Sequence, residues 1–191
     1  MPAEWVTAIA TVFTALVIGA SALAALFQLR HMRKSNEIDI IDKWTQTIES
    51  AQFEQARWFV TRDLQEILAD PQRVRALSWN PLPAELSKIR VICNHFESVG
   101  AFVKLGSVDA RIACELWAYV VLDCWRAIAP LAALVRHRIG RDAVWENFEY
   151  LAVLAQAHLK AHPVGTYPTD APRMPVDRSL ITLLEQASED G

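Results

Sequence analysis

Residues 5–29 read WVTAIATVFTALVIGASALAALFQL, twenty-five consecutive positions without a charged side chain. As one α-helix this stretch is roughly 37 Å long, enough to cross the hydrocarbon core of a bilayer with some tilt. A cleaved secretory leader carries positive charge ahead of a shorter apolar core. Here the run is preceded by MPAE, and the positive charges follow it as Arg30, His31, Arg33 and Lys34. The positive-inside bias then places the N-terminus outside and everything after Arg30 in the cytoplasm. The expectation is a transmembrane signal anchor over residues 1–34, with the lipid bilayer as its first partner.

Beyond the anchor, residues 36–69 carry apolar side chains at Ile41, Trp44, Ile48, Ala51, Phe59, Leu64 and Ile67, without an intervening Gly or Pro. That mostly helical spacing predicts one long amphipathic helix, continuous with the anchor and ending at Asp70-Pro71. Pro83 suits the first turn of a second helix, which runs to about Lys104 through Leu86, Ile89, Cys93, Phe96, Val99 and Val103 and stops at Gly106. Ser107 is placed to cap a third, long helix that contains Pro130 and ends at Gly140. Pro130 should kink or split it. Asp142 is placed to cap a fourth, through Trp145, Phe148, Leu151, Ala155 and Leu159.

The run from Leu116 to Val135 is also apolar. Asp123 and Arg126 near its middle are costly in hydrocarbon, so it reads as a buried bundle helix rather than a second span. Four prolines within residues 162–177 mark a linker, followed by RSLITLLEQ as a short C-terminal helix. No segment alternates with period two. The fold class is therefore all-α: an N-terminal transmembrane helix, a long amphipathic helix and a cytoplasmic helical bundle over residues 35–161, with residues 162–191 as linker and tail.

The three cysteines, Cys93, Cys114 and Cys124, sit in apolar helical surroundings without a C-x-x-C pair. They read as reduced core residues. A formal charge of −3 gives no reason to expect a nucleic-acid partner, and the basic cluster after Leu29 is explained by the membrane. Phosphate-binding Gly-rich loops, G-x-S-x-G and H-E-x-x-H are all absent from the sequence.

Two pairs invite chemistry. Arg90 and His95, in RVICNH, match the Arg-x(4–6)-His signature of HEPN-type ribonucleases, in which Arg steadies phosphate charge and His works on the 2′-hydroxyl. With 14 arginines and 5 histidines in 191 residues, the three permitted spacings give about one match by chance. Residues five apart on a regular α-helix also sit about 140° apart, which puts Arg90 and His95 on opposite flanks of an apolar stripe. A more ordinary reading pairs Arg90 with Glu97 or Asn94 and leaves His95 at the bundle's edge.

His158 and His162 have metal-ligand spacing on a helix, but no third ligand lies nearby, and a surface pair at a helix C-terminus is the commoner arrangement. No catalytic, cofactor-binding or metal-binding residue is therefore assigned, and no cofactor is expected. Trp58 and Trp79 are the tryptophans most suited to an interface. Within the anchor, Ala15 and Gly19, Ala20 and Ala24, and Ser21 and Ala25 are four apart, small faces that let helices approach closely and point to a homo-oligomer.

The stretch CNHFESVGAFVKLGSVDARIACELWAYVVLDCWRAI, with VWENFEYLA, resembles an uncharacterised family of short bacterial proteins catalogued as a domain of unknown function. The resemblance is carried by Asn94, Phe96, Glu97, Gly100, Gly106, Asp109, Trp125, Asn147 and Phe148 and covers the chain from the anchor to about Leu154. It implies one N-terminal helix in the bacterial inner membrane and a helical cytoplasmic domain, with an aromatic residue usual at position 95. Asn94 and Glu97 then read as polar residues tying helices together. The layout is also similar to the membrane pore protein that accompanies some RNA-targeting CRISPR systems, which has a degenerate Arg-x-His motif. That likeness implies an oligomeric membrane effector in defence. The leading expectation is a membrane-anchored, self-associating, non-enzymatic protein. The alternatives are a HEPN-like ribonuclease using Arg90 and His95, and a simple membrane tether for another partner.

Overall fold

The computed structural model describes residues 3–76, 86–179 and 181. Among these the chain is helical throughout its regular structure, with no strand. The elements are α1 (Ala3–Ile48), α2 (Ala51–Trp58), a π-helical turn (Phe59–Asp63), α3 (Leu64–Ala69), α4 (Pro71–Ala76), α5 (Ser87–Lys104), α6 (Ala110–Ile139) and α7 (Glu146–Ala161). The chain divides into two compact units, Met1–Ala161 and His162–Gly191. In the second, Tyr167 donates its hydroxyl to the Pro172 carbonyl at 3.0 Å and Arg173 stacks on the Tyr167 ring. Most of the expected C-terminal helix, and Trp79, lie outside the described residues.

The 46-residue α1 carries the apolar stretch directly into the bundle. The amphipathic helix expected to continue to Ala69 is instead interrupted twice. Ser50 takes an extended conformation, its hydroxyl donating to the Thr47 carbonyl at 2.6 Å and accepting the Phe53 N–H at 3.2 Å. A serine that offers the backbone local partners competes with helix continuation and caps the next helix instead. The second interruption is the π turn, which lets the neighbouring Phe59 and Val60 both face inward. The break at Asp70-Pro71 falls where expected: the residue before a proline avoids the helical region, and Asp70 is extended. Its carboxylate accepts the Gln72 and Arg73 N–H groups and so caps α4.

Gly106 and Gly140 both adopt the left-handed conformation that stops α5 and α6. The cap of α6 is Asp109 rather than Ser107, its side chain accepting the Arg111 N–H at 2.8 Å. Asp109 donates its own N–H to Glu37 Oε1 at 2.9 Å, which ties the start of α6 to α1. Further along the same two helices, Trp44 packs edge-to-face on Trp117 and on Phe102 of α5. The two contacts run in the same order, so α6 lies parallel to the later half of α1. Pro130 does not split α6, which is helical on both sides of it.

Helix α7 packs against both α5 and α6. The core is filled by Phe53, Val60 and Leu64, by Ile89, Ile92 and Phe96, by Ile128 and Leu131, and by Phe148 and Leu151. Each such side chain contributes about 1.5–3 kcal/mol by leaving water. Among the described residues no polar or charged one is fully buried. Cys93, Cys114 and Cys124 are buried free thiols, and desolvation pushes Cys124 up to about 12 and Cys93 well above its ordinary value. Such thiols are poor nucleophiles.

Among the described residues, two helices are long and apolar enough to cross a membrane, Thr11–Ile48 and Ala110–Ile139. The most apolar window of the first is 0% buried and that of the second 44% buried.

Candidate functional site

From Thr11 to Leu29, α1 presents its side chains on every side. Phe13, Leu16, Ile18 and Phe27 are each about two-thirds exposed, and Gly19 has open space where a Cβ would stand. Ser21 satisfies its own hydroxyl by donating to the Val17 carbonyl at 2.8 Å, a back-bond that suits surroundings without water. Contact with the bundle begins beyond this segment, where Ile40, Ile41, Trp44 and Ile48 pack against the core. One helix therefore joins a protein-free apolar rod to a packed domain.

Arg90 is exposed on α5, while His95 is half-buried between Phe53 and Phe96, edge-to-face to each at ring separations of 5.2 Å. His95 Nε2 has no hydrogen-bond partner, and burial lowers its pKa to about 4. The imidazole is thus neutral near pH 7 and packs as an aromatic ring. Neither residue lines the cleft at the α5–α6 turn or the one between the α2–π segment and α6. The expected pairing of Arg90 with Glu97 is not formed, because the Glu97 carboxylate turns to α7.

That carboxylate is the centre of a junction. Glu97 Oε1 accepts from Asn147 Nδ2 at 2.8 Å and Oε2 accepts the Phe148 N–H at 3.0 Å. A carboxylate at the start of α7 satisfies an otherwise orphaned N–H and meets the positive end of the helix dipole. Glu97 thus does the capping expected of Asp142, which lies in the preceding turn, and α7 begins only at Glu146.

Close approach is needed for this. A Cβ at Gly100 would overlap the Asn147 carbonyl, so α5 and α7 meet there backbone to backbone. Phe148 then stacks on Phe96 at 5.0 Å and meets Trp125 edge-on. Trp145, just before α7, holds a left-handed φ of 56°, a strained conformation for a non-glycine residue. Arg136 steadies the segment, donating Nε to the Val144 carbonyl at 2.9 Å and pairing with Glu149 at 2.7 Å.

Phe96, Glu97, Gly100, Trp125, Asn147 and Phe148, six of the residues that carry the family resemblance, therefore converge on one junction. Asn94 does not join them: it is exposed, and its carbonyl accepts the Ser98 hydroxyl. His158 faces Glu115 at 3.5 Å, while His162 belongs to the second unit. Among the described residues no group of three or more His, Cys, Asp or Glu is placed to hold a metal ion.

Two clefts among the described residues gather charged side chains. One, of about 800 Å³, lies between α1 and the α5–α6 turn, with Lys34, Glu37, Phe102 and Asp109 in its walls. The other, of about 560 Å³, lies between the α2–π segment and α6 and gathers Arg57, Arg62 and Arg126. Sequence periodicity gave no sign of this second grouping. The signal available was RWFVTR, two arginines five apart, whose convergence depends on the π turn.

No curated protein and no solved structure matches the chain. A family model does, over residues 15–153, a span that takes in the later part of the apolar stretch, the Glu97 junction and both clefts: the chain belongs to the family described as domain of unknown function DUF4760.

Proposed function

We propose that this chain is a membrane-anchored helical protein that self-associates through its apolar helix and acts non-enzymatically, through interactions or by perturbing the bilayer. The observation that carries the proposal is the uncovered apolar segment of α1, most of it exposed in a chain whose other apolar helix is packed into a bundle. In water such a surface is far larger than a monomeric protein leaves open. Lipid covers it without further protein, and the helical backbone satisfies its own hydrogen bonds there. Arg30, His31, Arg33 and Lys34 at its end orient the bundle to the cytoplasmic side of a bacterial inner membrane. The open face at Ala15 and Gly19 offers the close backbone approach through which such helices associate.

Carbonate-washed membranes from cells making the full chain test the anchor: the chain is expected in the pellet, with its bundle cleaved by protease only after the inner membrane is opened. Recovery in the soluble fraction overturns the anchor. Replacing Ala15 and Gly19 together by Leu should lower the oligomer mass in mild detergent, and an unchanged mass would count against association through that face.

A further inference from the structure

We propose that the cleft between the α2–π segment and α6 is a binding site for a small organic phosphate, held by Arg57, Arg62 and Arg126. Arg57 and Arg62 are five apart, a spacing that on a regular α-helix directs side chains about 140° from each other. The π turn between them widens the helix, and both line the same cleft. Wide turns of this kind are uncommon and concentrate at functional sites.

The irregular backbone is secured by side chains rather than left open. Thr61 donates its hydroxyl to the Arg57 carbonyl at 2.9 Å, and Gln65 Nε2 donates to the Ala127 carbonyl at 3.0 Å, in the turn of α6 that Pro130 loosens. Gln65 thus ties α3 to α6 beside the cleft.

Three guanidinium groups face one carboxylate in its wall. Among the described residues none of the three arginines forms an ion pair, and Asp123 lines the cleft without bonding to any of them. Three guanidinium groups in one concavity repel unless an anion sits among them, and their planar forks match phosphate oxygens. Arg62 is fixed by stacking on the Trp58 ring at 3.9 Å, which reduces the freedom it would lose on binding. Asp123 in the same wall accepts from a hydroxyl or amine, so the ligand is an organic phosphate bearing such a donor rather than phosphate alone. A volume of about 560 Å³ suits a molecule of that size.

A lipid headgroup is a poor occupant on geometric grounds. Glu37 and Asp109, which meet, lie about 12 Å along α1 beyond Leu29, and Asp123 lies about 21 Å further along the parallel α6. With the anchor in a bilayer, the cleft stands about 30 Å from it, several Debye lengths at physiological salt.

Calorimetric titration of the full chain in nanodiscs, with ribose 5-phosphate, AMP and inorganic phosphate as probes, tests the proposal in zwitterionic and in anionic lipid. Ribose 5-phosphate or AMP is expected to bind at or below about 1 mM in both lipids and more tightly than inorganic phosphate. Arg57→Gln and Arg126→Gln should each weaken that binding about tenfold or more at an unchanged melting temperature. Arg126→Lys, which keeps the charge and loses the fork, should weaken it less and serves if the glutamine variant unfolds. Asp123→Asn should erase the preference over inorganic phosphate. The proposal is overturned if neither ribose 5-phosphate nor AMP binds by about 1 mM, if inorganic phosphate binds as tightly as they do, if the arginine variants bind as the parent does, or if binding appears only in anionic lipid.

Discussion

Among the described residues, two helices are long and apolar enough to cross a membrane, and the surroundings of their side chains separate them. Ile18 in α1 is 64% exposed, and Ile128 in α6 is 0% exposed between the helices packed against it. Apolar composition states that a helix must leave water, not where it goes. Helix α6 turns Val121, Ile128 and Leu131 to an inward face that protein covers and keeps Asp123 and Arg126 on the outside. The first part of α1 has no outside in that sense: every face is apolar or small, and only a solvent that is itself apolar covers all of them.

One substitution made in both places separates the two environments most sharply. Ile128→Asp puts an unpaired carboxylate into a fully packed core, where it must either be desolvated or force water in, and should cost more than about 4 kcal/mol. The expected result is loss of the cooperative unfolding transition, read by circular dichroism of the full chain in detergent. Ile18→Asp changes no packed contact, so the same transition should stay within about 0.5 kcal/mol of the parent. Its effect appears elsewhere, as a penalty of about 3 kcal/mol on membrane insertion that shifts chain from the membrane pellet to the soluble fraction. If Ile18→Asp unfolds the bundle, α1 is part of the core and the contrast fails.

A smaller effect tests how closely protein covers the bundle side. Gly100→Ala adds one methyl group where α5 touches the Asn147 backbone, and the neighbour is a main-chain carbonyl rather than a flexible side chain. Separating the two helices should cost about 1–3 kcal/mol and loosen the Glu97 cap with them. Gly19→Ala, with open space at its Cβ position, should leave bundle stability unchanged. A Gly100→Ala chain as stable as the parent would show that the α5–α7 contact yields easily.

Much of this division was legible in the sequence. The uncharged run, the arrest at Asp70-Pro71 and the stops at Gly106 and Gly140 all follow from local chemistry, because charge, proline and a left-handed glycine act where they stand. What was hidden depends on residues far apart. Glu97 caps a helix that starts about fifty positions later, so Asp142, the local candidate, was the natural expectation. Asn94 and Glu97 looked alike as polar residues in a marked segment, and only the position of α7 makes one a tie and the other surface. The interruption at Ser50 carries a serine signal that a helix interior also tolerates. Arg57 and Arg62 share the five-residue spacing of Arg90 and His95. A π turn unites the first pair in one cleft, while the second stays on a regular helix, and spacing alone does not distinguish them.

The smallest expected effect measures how dry the protein-covered side is. His95 is held neutral by burial, with a folded pKa of about 4 against about 6.5 in an unfolded chain. Between those values the unfolded state binds more protons than the folded one, so stability is complete above about pH 6.5 and declines as pH falls towards 4. The loss should reach about 1–3 kcal/mol, less than the full shift implies because part of the ring meets solvent. His95→Phe keeps the edge-to-face contacts with Phe53 and Phe96 and removes the titrating group. At pH 7 its stability should lie within about 1 kcal/mol of the parent, and between pH 6.5 and 5 its stability should be the flatter of the two. An identical acid slope in both chains would mean that water reaches the imidazole freely. Position 95 would then belong with the exposed half of α1 rather than with the packed face of α6.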